Sequence, residues 1–343
     1  MEKLTKKQKI SNLKDGDRVD DIFVVKIKKS VSPYSKGFYF ALLLSDNSGG
    51  NIEYRYWGSD NEDEIRELFK PIKEDSIIKI TGKVSSYRKK LQISSGLLCE
   101  LKVLKPGEYE GDFIRSSQKN IEQMYQSLLS KINSVENQEL KKLLLNIFNE
   151  VGEKFKNHAG AISIHHNWRG GLLEHTLEVV GYCERSVEFF SELNRDLLLT
   201  GAILHDVGKI EELELTTRIK GSQKGQFIGH LILGLNFVSK KLEESDLDEI
   251  IKNQLLHLLV SHHGKQEYGS PKEPMIPEAV ALYYADGLSS KTSEMLNIIE
   301  ENKDNTEDDF FYSYRKRINI FLRGDKKMTE EIIKIKMEEQ KNE

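Results

Sequence analysis

All nine histidines of this 343-residue chain lie between His158 and His263, and their neighbours point to metal chemistry. His205 and Asp206 stand side by side at the end of an apolar run, Gly201-Ala-Ile-Leu-His-Asp-Val-Gly-Lys209. An unpaired carboxylate in such surroundings is costly unless a cation or strong donors satisfy it, and a divalent metal does both. His175, in Leu-Leu-Glu-His-Thr, and Asp286, in Tyr-Tyr-Ala-Asp-Gly, offer two more ligands of suitable type on separate predicted helices. Imidazole and carboxylate without thiolate suit Mn, Fe, Zn or Co, and a carboxylate-rich share admits Mg. A lone buried histidine is more often a hydrogen-bonded core residue. That plainer reading fits His158, and it fits His257 on the Leu-rich Leu255–Val260 face.

The stretch from Ile164 to His175 carries His165, His166 and Arg169 just before a pair of glycines, Gly170 and Gly171. Glycine permits close backbone approach, so these side chains could reach a substrate phosphate near the metals. Equally, their polar groups could only cap the next helix. The basic stretch Lys220–Gly225 reads as a substrate-side turn or a plain hairpin.

These residues need helices to hold them, and from Ser116 onward the apolar spacing of three and four supplies them. Helices are predicted over Ile121–Ile132, Leu140–Phe155, Leu172–Leu193, Asp196–His205, Gly229–Leu242, Leu247–His263, Glu278–Leu288 and Lys291–Asn297. Pro277 marks a start and Gly264 an end. The first part of the chain reads instead as strands: Val19–Lys28, Lys36–Ser45, Ile52–Trp57, Ile77–Tyr87 and Leu91–Val103, with a helix at Asn61–Phe69. Five strands with a helix between the third and fourth is the order of an all-β OB-fold barrel, a scaffold that binds oligonucleotides. Its rings (Phe38, Tyr39, Phe40, Tyr54, Tyr56, Trp57, Tyr87) could stack bases, although strand alternation sends about half of them inward. Tyr56, Trp57, Tyr87, Arg88 and Lys89 are the expected nucleic-acid contacts, the basic turn Tyr87–Lys90 foremost.

The order His, then His-Asp, then a distant Asp resembles the HD superfamily of metal-dependent phosphohydrolases. In its binuclear branch further histidines hold a second metal, and the Asp of the HD pair bridges both. Carried onto this sequence, the resemblance implies a first ion held by His175, His205, Asp206 and Asp286. A second would be held by Asp206, His230 and His262, with His263 as a catalytic group near the substrate or a further ligand. Lys209 would contact a scissile phosphate or a bridging hydroxide.

With the OB-fold order, the strings His-His-Asn-Trp-Arg-Gly-Gly-Leu-Leu-Glu-His-Thr, Ala-Ile-Leu-His-Asp-Val-Gly-Lys, Gly-His-Leu-Ile-Leu-Gly and Ser-His-His-Gly resemble the YhaM family of bacterial 3'-to-5' exoribonucleases. The resemblance implies an OB-fold over 1–110, a helical linker over 111–160, an all-α HD-domain bundle over 161–322 and a charged tail over 323–343 that extends past the usual family end. It implies a manganese-favouring enzyme that shortens single-stranded RNA, and to some extent single-stranded DNA, from the 3' end. Two metals acting on a phosphodiester would release nucleoside 5'-monophosphates. The rival readings are a cyclic-dinucleotide or nucleotide phosphodiesterase, against which the OB-fold argues, and a nucleic-acid-binding protein with an inert HD domain, against which the complete ligand set argues.

Composition fits this division. Residues 1–110 hold 21 Lys/Arg against 17 Asp/Glu, and the remainder holds 30 against 38, so a net charge of -4 joins a basic module to an acidic one. No apolar window is long enough to span a membrane, the N-terminus has no apolar export region, and two cysteines make no disulfide framework, so a cytoplasmic protein is expected. Ile121–Phe155 and Phe310–Leu322 offer surfaces for self-association, which makes a homo-oligomer an expectation.

Overall fold

Apolar side chains at every second position fold the first part of the chain into a barrel. In β3 (Gly37–Ser45) Phe38, Phe40, Leu42 and Leu44 point inward, and in β4 (Asn51–Trp57) Ile52, Tyr54 and Tyr56 do so. The computed structural model describes residues 3–87, 90–96, 99–162, 166–302, 310–314 and 316–322. The tail 323–343 lies outside them. A short β1 (Leu4–Thr5) pairs in parallel with β8 (Tyr109–Glu110). The long β2 (Arg18–Tyr34) pairs through its first half with β5 (Ile77–Tyr87) and through its second with β3, which closes the sheet on itself. The sheet order is β2-β3-β4-β6-β5-β7, where β6 is Lys90–Ser94 and β7 Leu101–Leu104, with β4 and β6 parallel and α1 (Glu62–Phe69) between β4 and β5, which is the OB-fold arrangement.

The expected fifth strand, Leu91–Val103, is two strands: β6 (Lys90–Ser94) and β7 (Leu101–Leu104). The break has a local cause. Ser95 turns toward β4, its N–H donating to the Arg55 carbonyl and its hydroxyl accepting from the Trp57 N–H, so the chain leaves β5 before rejoining it.

The helical part runs through α2 (Ile121–Asn133), α3 (Gln138–Lys156), α4 (Gly171–Phe189), α5 (Arg195–Leu204), α6 (Lys209–Glu212), β9 (Leu213–Leu215), β10 (Ile219–Gly221), α7 (Gln223–Ile228), α8 (His230–Glu243), α9 (Glu249–Ser261) and α10 (Pro277–Asn302). Asn120, Asn137, Asn194 and Asp248 cap α2, α3, α5 and α9 by accepting first-turn N–H groups. The Lys220–Gly225 stretch closes the β9–β10 hairpin and opens α7. One helix, α10, replaces the two expected over Glu278–Leu288 and Lys291–Asn297, because no proline or glycine stands between Leu288 and Lys291.

The apolar stripes of α2 and α3 share one core with α4, α5, α8 and α9. Leu140, Leu144, Ile147 and Phe155 are buried there, so the self-association surface expected over Ile121–Phe155 is spent on packing. The chain divides into two units, 1–287 and 288–343, and the first contains both the barrel and every residue of the site below. In the second, β11 (Phe310–Ser313) and β12 (Ile318–Phe321) form an antiparallel hairpin that leaves Phe310, Tyr312 and Phe321 exposed. Among the described residues no helix is long and apolar enough to cross a membrane.

Candidate metal centre and nucleic-acid face

Five helical segments converge. α4 carries His175, the turn after α5 carries His205 and Asp206, α8 begins with His230, α9 runs into His262 and His263, and α10 carries Asp286. Gly208 lets α8 come this close: a Cβ there would lie 2.0 Å from the His230 carbonyl oxygen and 2.5 Å from the Gly234 nitrogen.

The two oxygens of Asp206 divide the site. Oδ2 lies 3.3 Å from Nε2 of both His175 and His205, and Nε2 of His175 is 3.2 Å from Oδ1 of Asp286. Oδ1 of Asp206 faces the other way, 3.6 Å from Nε2 of His230 and 3.8 Å from Nε2 of His262. His263, expected beside the substrate or as a further ligand, stands within the second group, its Nε2 3.2 Å from that of His230. Lys209 lies one turn from Asp206, its Nζ 2.6 Å from Oδ2 as a buried ion pair.

The hydrogen bonds of these residues fit them to cations. His205 donates from Nδ1 to the Ala202 carbonyl at 2.8 Å, His262 to Leu259 at 2.8 Å, His263 to Tyr268 at 3.1 Å and His230 to the Glu212 carboxylate at 3.0 Å. Since carbonyl and carboxylate oxygens only accept, a neutral ring here carries its proton on Nδ1 and presents a lone pair at Nε2. Lone pairs therefore face lone pairs and carboxylates across the site, and the buried Nε2 of His262 has no hydrogen-bond partner. Such an arrangement suits divalent ions, whose ligands must be unprotonated and oriented from behind.

Electrostatics follow the geometry. Burial pushes the Asp206 carboxyl up, but Lys209, His205 and His175 outweigh it and hold the group well below the usual carboxylate range. Burial and then the neighbouring His205 and His263 keep His262 well below its ordinary value, hence neutral. Burial likewise lowers His175, yet its hydrogen bonds to Asp206 and Asp286 prevail and lift it to about 9. The plain reading of His158 fits its surroundings: it donates to the Lys209 carbonyl at 3.0 Å, and burial lowers it to about 4. His257 accepts the Met275 N–H at 2.9 Å.

The loop before α4 is a brace. His166 is buried, with Nε2 3.2 Å from Glu178 and its ring 5.2 Å from that of His175, so it lies behind His175 and not on an open substrate path. Arg169 is bound to Asp112 at 2.8 Å instead of being directed at phosphate, and its backbone pairs with the Arg115–Ser117 segment. Gly171 is the tight point, since a Cβ there would lie 2.0 Å from the His166 carbonyl oxygen. His165, Arg88 and Lys89 lie outside the described residues.

On the barrel, register sorts the rings. Tyr54 is fully buried, and Tyr56, expected on the nucleic-acid side, stacks inward on Phe40 with ring centroids 5.0 Å apart. Trp57 faces outward, stacked on Tyr39 at 5.1 Å with Tyr34 edge-on at 5.0 Å. Arg55, on the same face, lies 5.6 Å over the half-exposed ring of Tyr87. This is the face that OB-folds use for oligonucleotides.

The HD domain family matches residues 172–291, a span containing every histidine and aspartate that converges on the site. The 3'-5' exoribonuclease YhaM of Bacillus licheniformis is 30% identical over 294 residues, covering 84% of this chain and 90% of that protein. The YhaM proteins of Bacillus subtilis (strain 168) and of a Geobacillus species are likewise 30% identical, with 90% and 87% of their lengths covered. This chain belongs to the YhaM family. Solved structures are less alike: a replication protein A heterotrimer bound to ssDNA is 18% identical with a TM-score of 0.18, over 28% of this chain and 63% of that one. In this YhaM-family chain, sequence reading missed Glu212 behind His230, Glu174, which accepts from the Trp168 indole at 2.9 Å, and Tyr34 in the outer ring cluster. Glu212 sits in no motif, Glu174 stands inside the Leu-Leu-Glu-His-Thr string without a role of its own there, and the partners of both are set by contacts between segments. Tyr34 was legible as a ring beside the first hairpin.

Proposed function

We propose that the chain is a 3'-to-5' exoribonuclease in which single-stranded RNA, and to some extent single-stranded DNA, runs over the Tyr34–Tyr39–Trp57 face and is cut at the HD centre. The observation that carries this is Asp206, with one oxygen toward each set of histidines on a chain that also bears an OB-fold. The named activity of the YhaM relatives supports it.

His175, His205, Asp206 and Asp286 would hold one ion, and Asp206, His230, His262 and His263 a second, with manganese favoured and Fe, Co, Zn or Mg as alternatives. Bound ions at such a centre generate a nucleophile from water and neutralise the phosphodiester. The protein contributes orientation: each Nδ1 acceptor fixes its ring, and Asp206 ties the two sets together. Lys209 keeps a positive charge against Oδ2 of Asp206, where it would contact the phosphate. Hydrolysis would release nucleoside 5'-monophosphates. Both cysteines are free, in keeping with a cytoplasmic protein.

The test is digestion of 3'-labelled and 5'-labelled single-stranded RNA in Mn2+. The 3' label should leave at once as mononucleotide while the 5'-labelled strand shortens as a ladder. Turnover of a cyclic dinucleotide with intact RNA would overturn the reading.

A further inference from the structure

Between Glu212 and His230 the chain leaves the metal centre and returns to it. It departs from α6 as the hairpin β9–β10 and comes back through α7. At its far end the hairpin meets the OB-fold. Thr217 Oγ1 donates to the Asp75 carbonyl at 3.0 Å, and the Arg218 guanidinium pairs with the Asp75 carboxylate and, at 3.3 Å, with Glu74. Asp75 adopts a left-handed φ of 72° there, uncommon outside glycine.

At its near end, Glu212 Oε1 accepts from both Nδ1–H and the backbone N–H of His230, at 3.0 and 3.1 Å. Ser222 braces this base: its N–H donates to the Glu212 carbonyl at 2.8 Å and its hydroxyl to the Glu211 carbonyl at 2.7 Å. His205, His262 and His263 give their Nδ1 protons to main-chain carbonyls, whereas His230 gives its own to a carboxylate. A carboxylate behind a ligating histidine fixes the ring and strengthens it as a donor to metal.

We propose that this excursion is a strut joining the OB-fold to the second ion, with Glu212 as the residue that positions His230 and the Arg218–Asp75 pair as the far anchor. The inference rests on the two-ion reading above. It requires that loosening either end weakens the second ion and spares the first, because no ligand of the first set lies on the strut.

The experiment is titration of the EDTA-stripped full chain with Mn2+, free ion being followed by electron paramagnetic resonance. The unaltered protein should take two ions. Glu212→Ala should keep the first-ion affinity and weaken the second by about tenfold to a hundredfold. Glu212→Gln, which still accepts a hydrogen bond, should lose less, and Arg218→Ala should shift the second ion in the same direction. The double variant should be no weaker than Glu212→Ala, since both act through one ring. Unchanged second-ion affinity in Glu212→Ala, or equal loss at both sites, overturns the positioning role. An unchanged second ion in Arg218→Ala overturns the anchor. If the unaltered protein takes a single ion, the inference falls together with the two-ion reading, a result distinct from either failure above.

Discussion

The ammonium of Lys209 lies 2.6 Å from Oδ2 of Asp206, with both side chains buried. Asp206 is therefore shared among a lysine and two sets of histidines, and its removal should have a different signature from removal of its neighbours. Asp206→Ala should abolish hydrolysis and strip both ions, while single-stranded RNA binding stays within about twofold because the OB-fold is untouched. Metal content by mass spectrometry and RNA binding by fluorescence anisotropy check the two halves of the claim.

Lys209→Met removes the charge and keeps most of the stem. If the ammonium stabilises charge developing on the phosphate, hydrolysis of labelled RNA should fall about 10²- to 10³-fold with two ions still bound. Loss of an ion in step with activity would instead make Lys209 a support for Asp206.

Metal affinity should depend on pH through His175. Its imidazole is lifted to about 9 by Asp206 and Asp286 and must lose its proton to bind an ion. Below pH 9 the apparent affinity of the first ion should thus rise about tenfold per pH unit and level off above it. Calorimetric titration in buffers of differing ionisation enthalpy would count the released proton, and a pH-independent affinity between 6 and 8 would remove His175 from the ligand set.

Gly208→Ala places a Cβ 2.0 Å from the backbone oxygen of His230, where no side-chain rotation relieves it. The variant should lose about 1–3 kcal/mol of stability in urea unfolding as α8 shifts. The second proposed ion should weaken more than the first, because α8 carries only His230 among the proposed ligands.

Trp57 and Tyr56, adjacent in β4, should behave oppositely. Trp57→Ala should weaken single-stranded RNA binding by about 1–3 kcal/mol with little change in unfolding. Tyr56→Ala should cost roughly 2–4 kcal/mol of stability by emptying the space against Phe40, with a smaller effect on RNA affinity. Anisotropy and urea melts on both variants test the register directly.

The sequence alone determined the ligand types, the helical periodicity beneath them and the OB-fold strand order, since each depends on residue identity and local spacing. His205-Asp206 in an apolar run already called for a cation or strong donors, wherever the run was placed. Tertiary structure decided what lies across space. Which oxygen of Asp206 faces which histidines depends on how α5, α8 and α9 cross. Whether Tyr56 or Trp57 meets solvent depends on strand register, because a one-residue slip exchanges the two faces. The Arg169 guanidinium and the His166 ring, phosphate contacts by composition, are held by Asp112 and Glu178, partners that no local pattern announces. Glu212 becomes part of the site only because a hairpin reaches the OB-fold and brings the chain back to it.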